Sequence, residues 1–174
     1  SVLKLAEEHR ETEASIQASG LPSVILRNGW YTENYTLGVP TALSHGAVYG
    51  CAGEGRVASA GRADYAAAAA AVLTSDNQAG KVYELSGDRA YTLSELAAEI
   101  SRQSGKAVNY VNLTEAEYAN VLLGAGLPQA FAELLADADA GVANGALFDD
   151  RKQLSKLIGR PTLTLETAVK ASLS

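Results

Sequence analysis

A short apolar run that turns abruptly polar is the feature that most constrains the fold of this chain. Val24, Ile25 and Leu26 follow a turn sequence at residues 20–22, and this pattern predicts a short buried strand. The next residues surround one glycine with polar and aromatic side chains: Arg27, Asn28, Gly29, Trp30, Tyr31, Thr32, Glu33 and Asn34. Ligands of open α/β sheets bind beyond the carboxyl ends of the strands, so we expect a binding site here. A second interpretation remains open, in which the two aromatic rings only cap the core.

Helix-like and strand-like segments alternate along residues 1–174, which predicts one α/β domain. The first helix, at residues 4–19, has a period that places His9 and Ile16 on its inward face. Capping boxes predict helices at 92–105 and 114–126. Further helices are predicted at 33–45, with an interruption near Pro40, at 62–73, from Pro128 onward, at 151–158 and at 164–173. Strands are predicted at 81–85 and 107–111. This order is typical of the second half of a doubly wound α/β protein with a small helical lobe.

Two glycine-containing stretches need separate interpretation. Residues 47–50 and 56–59 are strand-like and flank a glycine loop, which predicts a hairpin. Residues 53–58 match the G-x-G-x-x-A dinucleotide fingerprint, but we reject the match because a strand-like piece follows it where the fingerprint requires a helix. The acidic stretch at residues 137–145 has no clear period, so we expect a mobile lobe there.

Charge and composition exclude several classes of function. A net charge of −6 argues against a nucleic-acid surface, which needs a basic stripe. No apolar run approaches the roughly 20 residues of a membrane span. The single Cys51 cannot form an internal disulfide, which is consistent with the reducing cytoplasm. We therefore expect a cytoplasmic protein without nucleic-acid or membrane partners, and we predict no metal site.

Several motifs together resemble one known family. They lie at residues 8–13, 26–35, 58–65, 81–88 and 147–150, with a last one at 154–159. The chain resembles the NmrA-like branch of the atypical short-chain dehydrogenases, and within it the bacterial NADPH-dependent quinone oxidoreductases. The resemblance implies the C-terminal half of a doubly wound Rossmann-like sheet with a small, mostly helical substrate lobe. Nothing in the chain corresponds to the Gly-rich dinucleotide-binding half with which relatives begin.

The resemblance also implies roles for individual residues. His9 falls where many relatives keep the lysine that holds the nicotinamide ribose, although an inward histidine is as readily a core residue. His9, Tyr31 and Asn34 are the candidate catalytic residues, and residues 27–34 are the candidate cofactor-binding segment for NADPH. Trp30, Tyr31, Ser59 and Arg62 are the candidate substrate-binding residues, with Trp30 and Tyr31 walling a slot for a flat acceptor. For Arg62, a surface charge at a helix start is an equal alternative.

The missing proton-donor pair favours a quinone as the substrate. Ordinary short-chain dehydrogenases use a Tyr-x-x-x-Lys pair, and none of the eight tyrosines here has a lysine four places later. A reduced quinone is a phenolate with a pKa of about 10, so it needs no strong proton donor. The same absence is compatible with a redox sensor that binds the dinucleotide without turnover. We expect this chain alone to be inactive, and to associate with another copy or with the missing half.

Overall fold

The computed structural model of the chain describes residues 5–173, without the side chain of Leu5. Residue 4, where the first predicted helix begins, lies outside the described residues. Within them the elements are α1 (Leu5–Ala18), β1 (Ile25–Asn28), α2 (Glu33–Thr36), α3 (Val39–His45), β2 (Ala47–Gly50), α4 (Arg62–Leu73), β3 (Val82–Leu85), α5 (Leu93–Ser104), β4 (Asn109–Asn112), α6 (Glu115–Gly124), α7 (Gln129–Ala143), α8 (Gln153–Ile158) and α9 (Leu165–Ser172).

The four strands form two parallel pairs. β1 pairs with β3 so that Asn28 lies opposite Leu85, and β2 pairs with β4 so that Gly50 lies opposite Asn112. Parallel strands need crossover connections, and helices supply them in both pairs. The predicted α/β class is confirmed. Because the pairing is parallel, β1 and β3 end at the same edge, which places the residues that follow them side by side.

Local sequence signals explain where the helices begin. Both predicted capping boxes are present: Thr92 with Glu95 opens α5, and Thr114 with Glu117 opens α6. The helix predicted at 33–45 is divided into α2 and α3, and Pro40 lies in the first turn of α3, where its missing N–H costs nothing. None of the described helices is long and apolar enough to cross a bilayer.

The predicted hairpin after β2 is wrong. β2 pairs with β4, while Val57 forms an antiparallel bridge with Tyr91 and Ala60 forms a parallel bridge with Tyr31. The glycine loop instead carries the chain against α7, and a Cβ on Gly55 would lie 2.2 Å from the carbonyl oxygen of Val142. No helix begins at the rejected fingerprint, since α4 starts only at Arg62.

The predicted mobile lobe at residues 137–145 is also wrong, because α7 continues through most of it. Ala136, Asp139 and Val142 are buried. Their spacing of three is helical and places them against the rest of the fold. Tertiary burial therefore overrides the weak local signal of the acidic and glycine residues.

Two clusters of buried side chains hold these elements together. The larger one includes Val57, Leu96 and Ile100, with Trp30 packed against it. The smaller one includes Tyr65 and Leu85 with Leu154 of α8, and Tyr31 packs against it. The turn after β1 therefore lies between the two clusters.

Candidate functional site

The candidate site lies at the edge where β1 and β3 both end. Gly29, the first residue after β1, donates its N–H to the Leu85 carbonyl at 2.8 Å. A Cβ on Gly29 would lie 2.9 Å from that same oxygen and 3.3 Å from the Tyr65 hydroxyl. Glycine is therefore required for the β1 turn to cross the end of β3. Its close approach is made to the chain's own backbone, a constraint that holds without any cofactor.

Two buried polar atoms at this edge have no hydrogen-bond partner within the described residues. They are Nε1 of Trp30, two residues after β1, and Oγ of Ser86, directly after β3. Buried polar groups are almost always bonded, and an unpaired one costs about 1–3 kcal/mol. Both donors lie just beyond the carboxyl ends of neighbouring parallel strands, the part of an open α/β sheet where ligands bind.

Backbone and side-chain bonds join the turn after β1 to residues 59–60. Thr32 donates its N–H to the Ala60 carbonyl at 2.9 Å, and Ala60 donates to the Trp30 carbonyl at 3.1 Å. The buried hydroxyls of Thr32 and Ser59 lie 2.8 Å apart, and Ser59 lies 2.6 Å from the Tyr91 hydroxyl. Burial raises the pKa of Tyr91 to about 12. The predicted site residues Thr32 and Ser59 are thus adjacent, with their hydroxyls bonded to each other.

Tyr31 and Arg62 are brought together by the same turn. The guanidinium carbon of Arg62 lies 5.1 Å from the centroid of the Tyr31 ring, a cation–π contact. The Glu33 carboxylate accepts the backbone N–H of Arg62 at 2.9 and 3.2 Å, which holds Arg62 in place. Arg62 forms no ion pair within residues 5–173. Its positive charge therefore remains available beside an aromatic ring.

The expected slot walled by both Trp30 and Tyr31 is not formed. The Trp30 ring tilts against Tyr35 with the ring centroids 6.4 Å apart, while the Tyr31 ring meets Tyr65 edge-on at 5.2 Å. Successive residues of extended backbone point to opposite sides, and Tyr31 lies in a β-bridge. The two rings consequently pack on different clusters, and each presents a separate surface.

Arg27 is held by two carboxylates. Its guanidinium binds Glu13 of α1 at 2.7 Å and Glu84 of β3 at 2.6 Å. The hydrogen bonds to Glu13 and then Glu84 raise the pKa of Arg27, and the bond from Arg27 lowers the pKa of Glu13. Through these two ion pairs, Arg27 links α1 to β3.

The expected inward position of His9 is wrong. His9 is exposed, as is Thr12, while Ile16 is half-buried. The reason is that α1 makes only sparse contacts with the other described elements. No hydrogen bond, ion pair or ring contact joins His9 to Tyr31 or Asn34 within the described residues.

The two asparagines of the site keep much of their hydrogen-bonding capacity. Asn34 is half-buried, and its side chain makes no hydrogen bond within the described residues. Asn28 is exposed, and its amide approaches only the Tyr31 hydroxyl, at 3.5 Å. Both amides are therefore free to bind a polar ligand.

A cavity of about 330 Å³ lies behind the turn, between α5 and residues 161–166. Thr32, Ser59 and Tyr91 line it, whereas Trp30, Tyr31 and Asn34 do not. Two of the arginines that line it form ion pairs with acidic neighbours, Arg89 with Glu166 and Arg102 with Glu99. Among the predicted site residues, the cavity therefore involves only Thr32 and Ser59.

Three contributors to the site were not predicted. Ser86 follows β3 as Trp30 follows β1, so applying the strand-end rule to both strands would have found it. Tyr65 supports the Tyr31 ring and carries no local signal, because these two residues are far apart along the chain, whereas Tyr35 supports the Trp30 ring from within the same segment.

Comparison with protein-family models finds no match. Among curated proteins, the chain is 56% identical over 169 residues to quinone oxidoreductase 2 of Escherichia coli (strain K12), covering 97% of this chain and 59% of that protein. The chain therefore spans well under two thirds of the length of this relative.

Solved structures agree with this likeness. The E. coli NADPH-dependent quinone oxidoreductase in complex with NADPH matches with a TM-score of 0.97 at 55% identity, covering 100% of this chain and 62% of that one. The Citrobacter sp. triphenylmethane reductase complexed with NADP(H) matches with a TM-score of 0.93 at 35% identity, covering 99% and 61%. Both likenesses extend over nearly all of the described fold.

Proposed function

We propose that this chain, which belongs to the NmrA-like family of atypical short-chain dehydrogenases, forms the C-terminal part of an enzyme that reduces quinones with NADPH. The observation that carries the proposal is the strand edge with the unpaired donors of Trp30 and Ser86. It lies in a chain that resembles a quinone oxidoreductase over almost its whole length. The pyrophosphate-binding half belongs, in this proposal, to the part of the relatives that this chain does not span.

The residues at the strand edge fit the nicotinamide end of a dinucleotide. The Trp30 indole and the Ser86 hydroxyl each offer an unpaired donor, and the Asn34 amide offers donors and an acceptor. NADPH supplies the hydride when it is bound. The task of these side chains is to orient the ring and exclude water. His9 and Arg27 remain candidates on the resemblance alone.

Tyr31 and Arg62 fit the substrate side. The half-buried Tyr31 ring offers a flat apolar surface to such an acceptor, and the unpaired Arg62 charge lies over that ring. Reduction of a quinone develops negative charge on its oxygens, and a fixed guanidinium stabilises such charge. Ser59 lies beside this surface, because its hydroxyl is bonded to that of Thr32, the residue after Tyr31.

Exposed surface on α1 and near β3 favours association with further polypeptide. His9 and Thr12 of α1 are exposed, Leu21 is 71% exposed and Val82 is 44% exposed. Apolar surface beside a strand edge is usually covered. We propose that the dinucleotide-binding half, or a second copy of the chain, covers it, and that the protein works in the cytoplasm.

Oxidation of NADPH by a simple benzoquinone tests the proposal. The protein to use joins this chain to a dinucleotide-binding half, with this chain alone as the comparison. We expect turnover by the joined protein and none by the chain alone. Arg62→Gln should raise the KM for benzoquinone about tenfold, as loss of a hydrogen bond or charge contact to substrate would.

A second cation controls for surface charge. Lys106 is exposed in the turn after α5, away from the α1 surface, so Lys106→Gln should keep the wild-type KM. Tight NADPH binding by the joined protein without any turnover would reject the enzyme and favour the redox sensor. Equal effects of the Arg62 and Lys106 changes would reject the substrate surface.

A further inference from the structure

A buried carboxylate joins three elements behind the candidate site. Asp139 of α7 is 4% exposed. Its Oδ2 accepts the backbone N–H of Cys51, directly after β2, at 2.7 Å, and its Oδ1 accepts the Tyr35 hydroxyl of α2 at 3.1 Å. A Cβ on Gly50 would lie 2.6 Å from Oδ2, so glycine is needed there for α7 to approach β2. Both carboxylate oxygens are thus bonded to groups far away in the sequence.

Tyr35 connects this carboxylate to the site. Its ring lies 6.4 Å from the ring of Trp30 on one side and 6.4 Å from that of Tyr91 on the other. The hydroxyl bond to Asp139 therefore sets how far the Tyr35 ring extends toward Trp30. Trp30 in turn carries one of the unpaired donors at the strand edge.

Asp139 lies among groups that do not neutralise it. Burial raises its pKa, and the hydrogen bonds from Cys51 and Tyr35 oppose that rise. The other titratable groups around this cluster include Tyr91, which acts on Tyr35, and Cys51, Tyr110 and Tyr118, whose pKa values are raised first by their own burial and next by Asp139. A buried carboxylate without a cationic partner is costly to stability. Its presence where three elements meet therefore favours a role in positioning those elements over one in stabilising the fold.

We propose that Asp139 is a positioning residue, which fixes the Trp30 side of the candidate site through its hydrogen bond to Tyr35. The proposal rests on the proposed function only for its kinetic consequence. Asp139 touches no ligand in this account and acts entirely through the Tyr35 ring.

Fluorescence tests the positioning directly, because Trp30 is the only tryptophan of this chain. We expect Asp139→Asn and Tyr35→Phe each to shift the Trp30 emission maximum of the full chain. The double variant should show the shift of Tyr35→Phe alone, since the bond through which Asp139 acts is then already absent. Additive shifts, or unchanged emission in Asp139→Asn, would overturn the proposal.

Two matched variants control for the chemistry of the substitutions. Tyr83→Phe removes a hydroxyl that binds Gln78, and Asp76→Asn neutralises an exposed carboxylate. Both should leave the emission unchanged. If circular dichroism shows that Asp139→Asn does not fold, the test rests on Tyr35→Phe, which removes one oxygen and keeps the ring. Unchanged emission in Tyr35→Phe would then overturn the proposal.

Kinetics separate this proposal from the proposed function. In the joined protein, Asp139→Asn and Tyr35→Phe should each raise the KM for NADPH about tenfold, with kcat and the KM for benzoquinone nearly unchanged, because Trp30 lies on the nicotinamide side of the proposed site. A wild-type protein that reduces no quinone but keeps the emission coupling would reject the function and retain the positioning role. An active enzyme with a wild-type KM for NADPH in both variants would reject the positioning role.

Discussion

The carboxylate of Glu33 accepts the backbone N–H of Arg62 at 2.9 Å and so caps a helix that begins 29 residues later. The N-cap residue of α4 is Gly61, which has no side chain to perform this task. The turn after β1 therefore completes α4 and at the same time holds the backbone of Arg62, whose guanidinium lies over the Tyr31 ring. One contact thus serves both helix stability and the geometry of the candidate site.

Replacing Glu33 should weaken the fold measurably. Glu33→Ala removes the acceptor and the negative charge at the N-terminus of α4, so we expect a loss of about 1 kcal/mol in the free energy of unfolding. Urea denaturation measures it. Glu54 lies in an exposed loop, and Glu54→Ala should change the free energy little. Equal losses in the two variants would contradict the capping role.

Two glycines should respond oppositely to alanine. A Cβ on Gly87 would lie 2.0 Å from the Ser59 carbonyl oxygen, so Gly87→Ala must displace backbone beside the site and should cost about 3 kcal/mol. Gly124 ends α6 with open space around it, so Gly124→Ala should stabilise by about 0.5–1 kcal/mol. Urea denaturation of both variants checks the contrast. A stable Gly87→Ala protein would show that residues 58–59 are not held as described.

The Cys51 thiol should be unreactive in the folded chain. Burial, followed by the charge of Asp139, raises the pKa of Cys51 to about 12, and the side chain is buried. The reactive thiolate is therefore scarce at pH 8. We expect Ellman's reagent to label the native chain slowly and the urea-unfolded chain rapidly. Equally fast labelling in both states would contradict the buried position.

Acid should reduce stability partly through the ion pairs of Arg27. The bond from Arg27 depresses the pKa of Glu13 below its ordinary 4.5. A carboxyl group with a depressed folded pKa contributes stability above pH 4.5 that is lost as the pH falls through the folded value. In Arg27→Met, the free energy of unfolding should therefore decrease less steeply as the pH falls below 4.5. At neutral pH the substitution should cost no more than about 1 kcal/mol, because the ion pair is partly exposed.

A series of urea denaturations between pH 3 and pH 7 measures that slope. Arg10→Met, at an exposed position of the same helix, serves as the control and should keep the wild-type profile. An unchanged acid slope in Arg27→Met would mean that other carboxyl groups dominate the acid response.

Features governed by near neighbours were predicted correctly. The capping boxes of Thr92 and Thr114 join residues three positions apart, so the sequence contains all of their partners. The strand β1 likewise follows from an apolar run, while the site placed directly after it stays a prediction. The family motifs added the proposed cofactor and substrate, which no local pattern contains.

The amino-acid sequence by itself determined the α/β class, most of the elements and the segment that carries the candidate site, because helix caps, strand periods and turns depend on residues close together along the chain. Tertiary structure alone decided that Trp30 and Tyr31 face different clusters, that His9 is exposed and that Asp139 is buried. The physical reason is that side-chain position depends on partners brought together by folding, such as Tyr35 and Asp139, which are 104 residues apart.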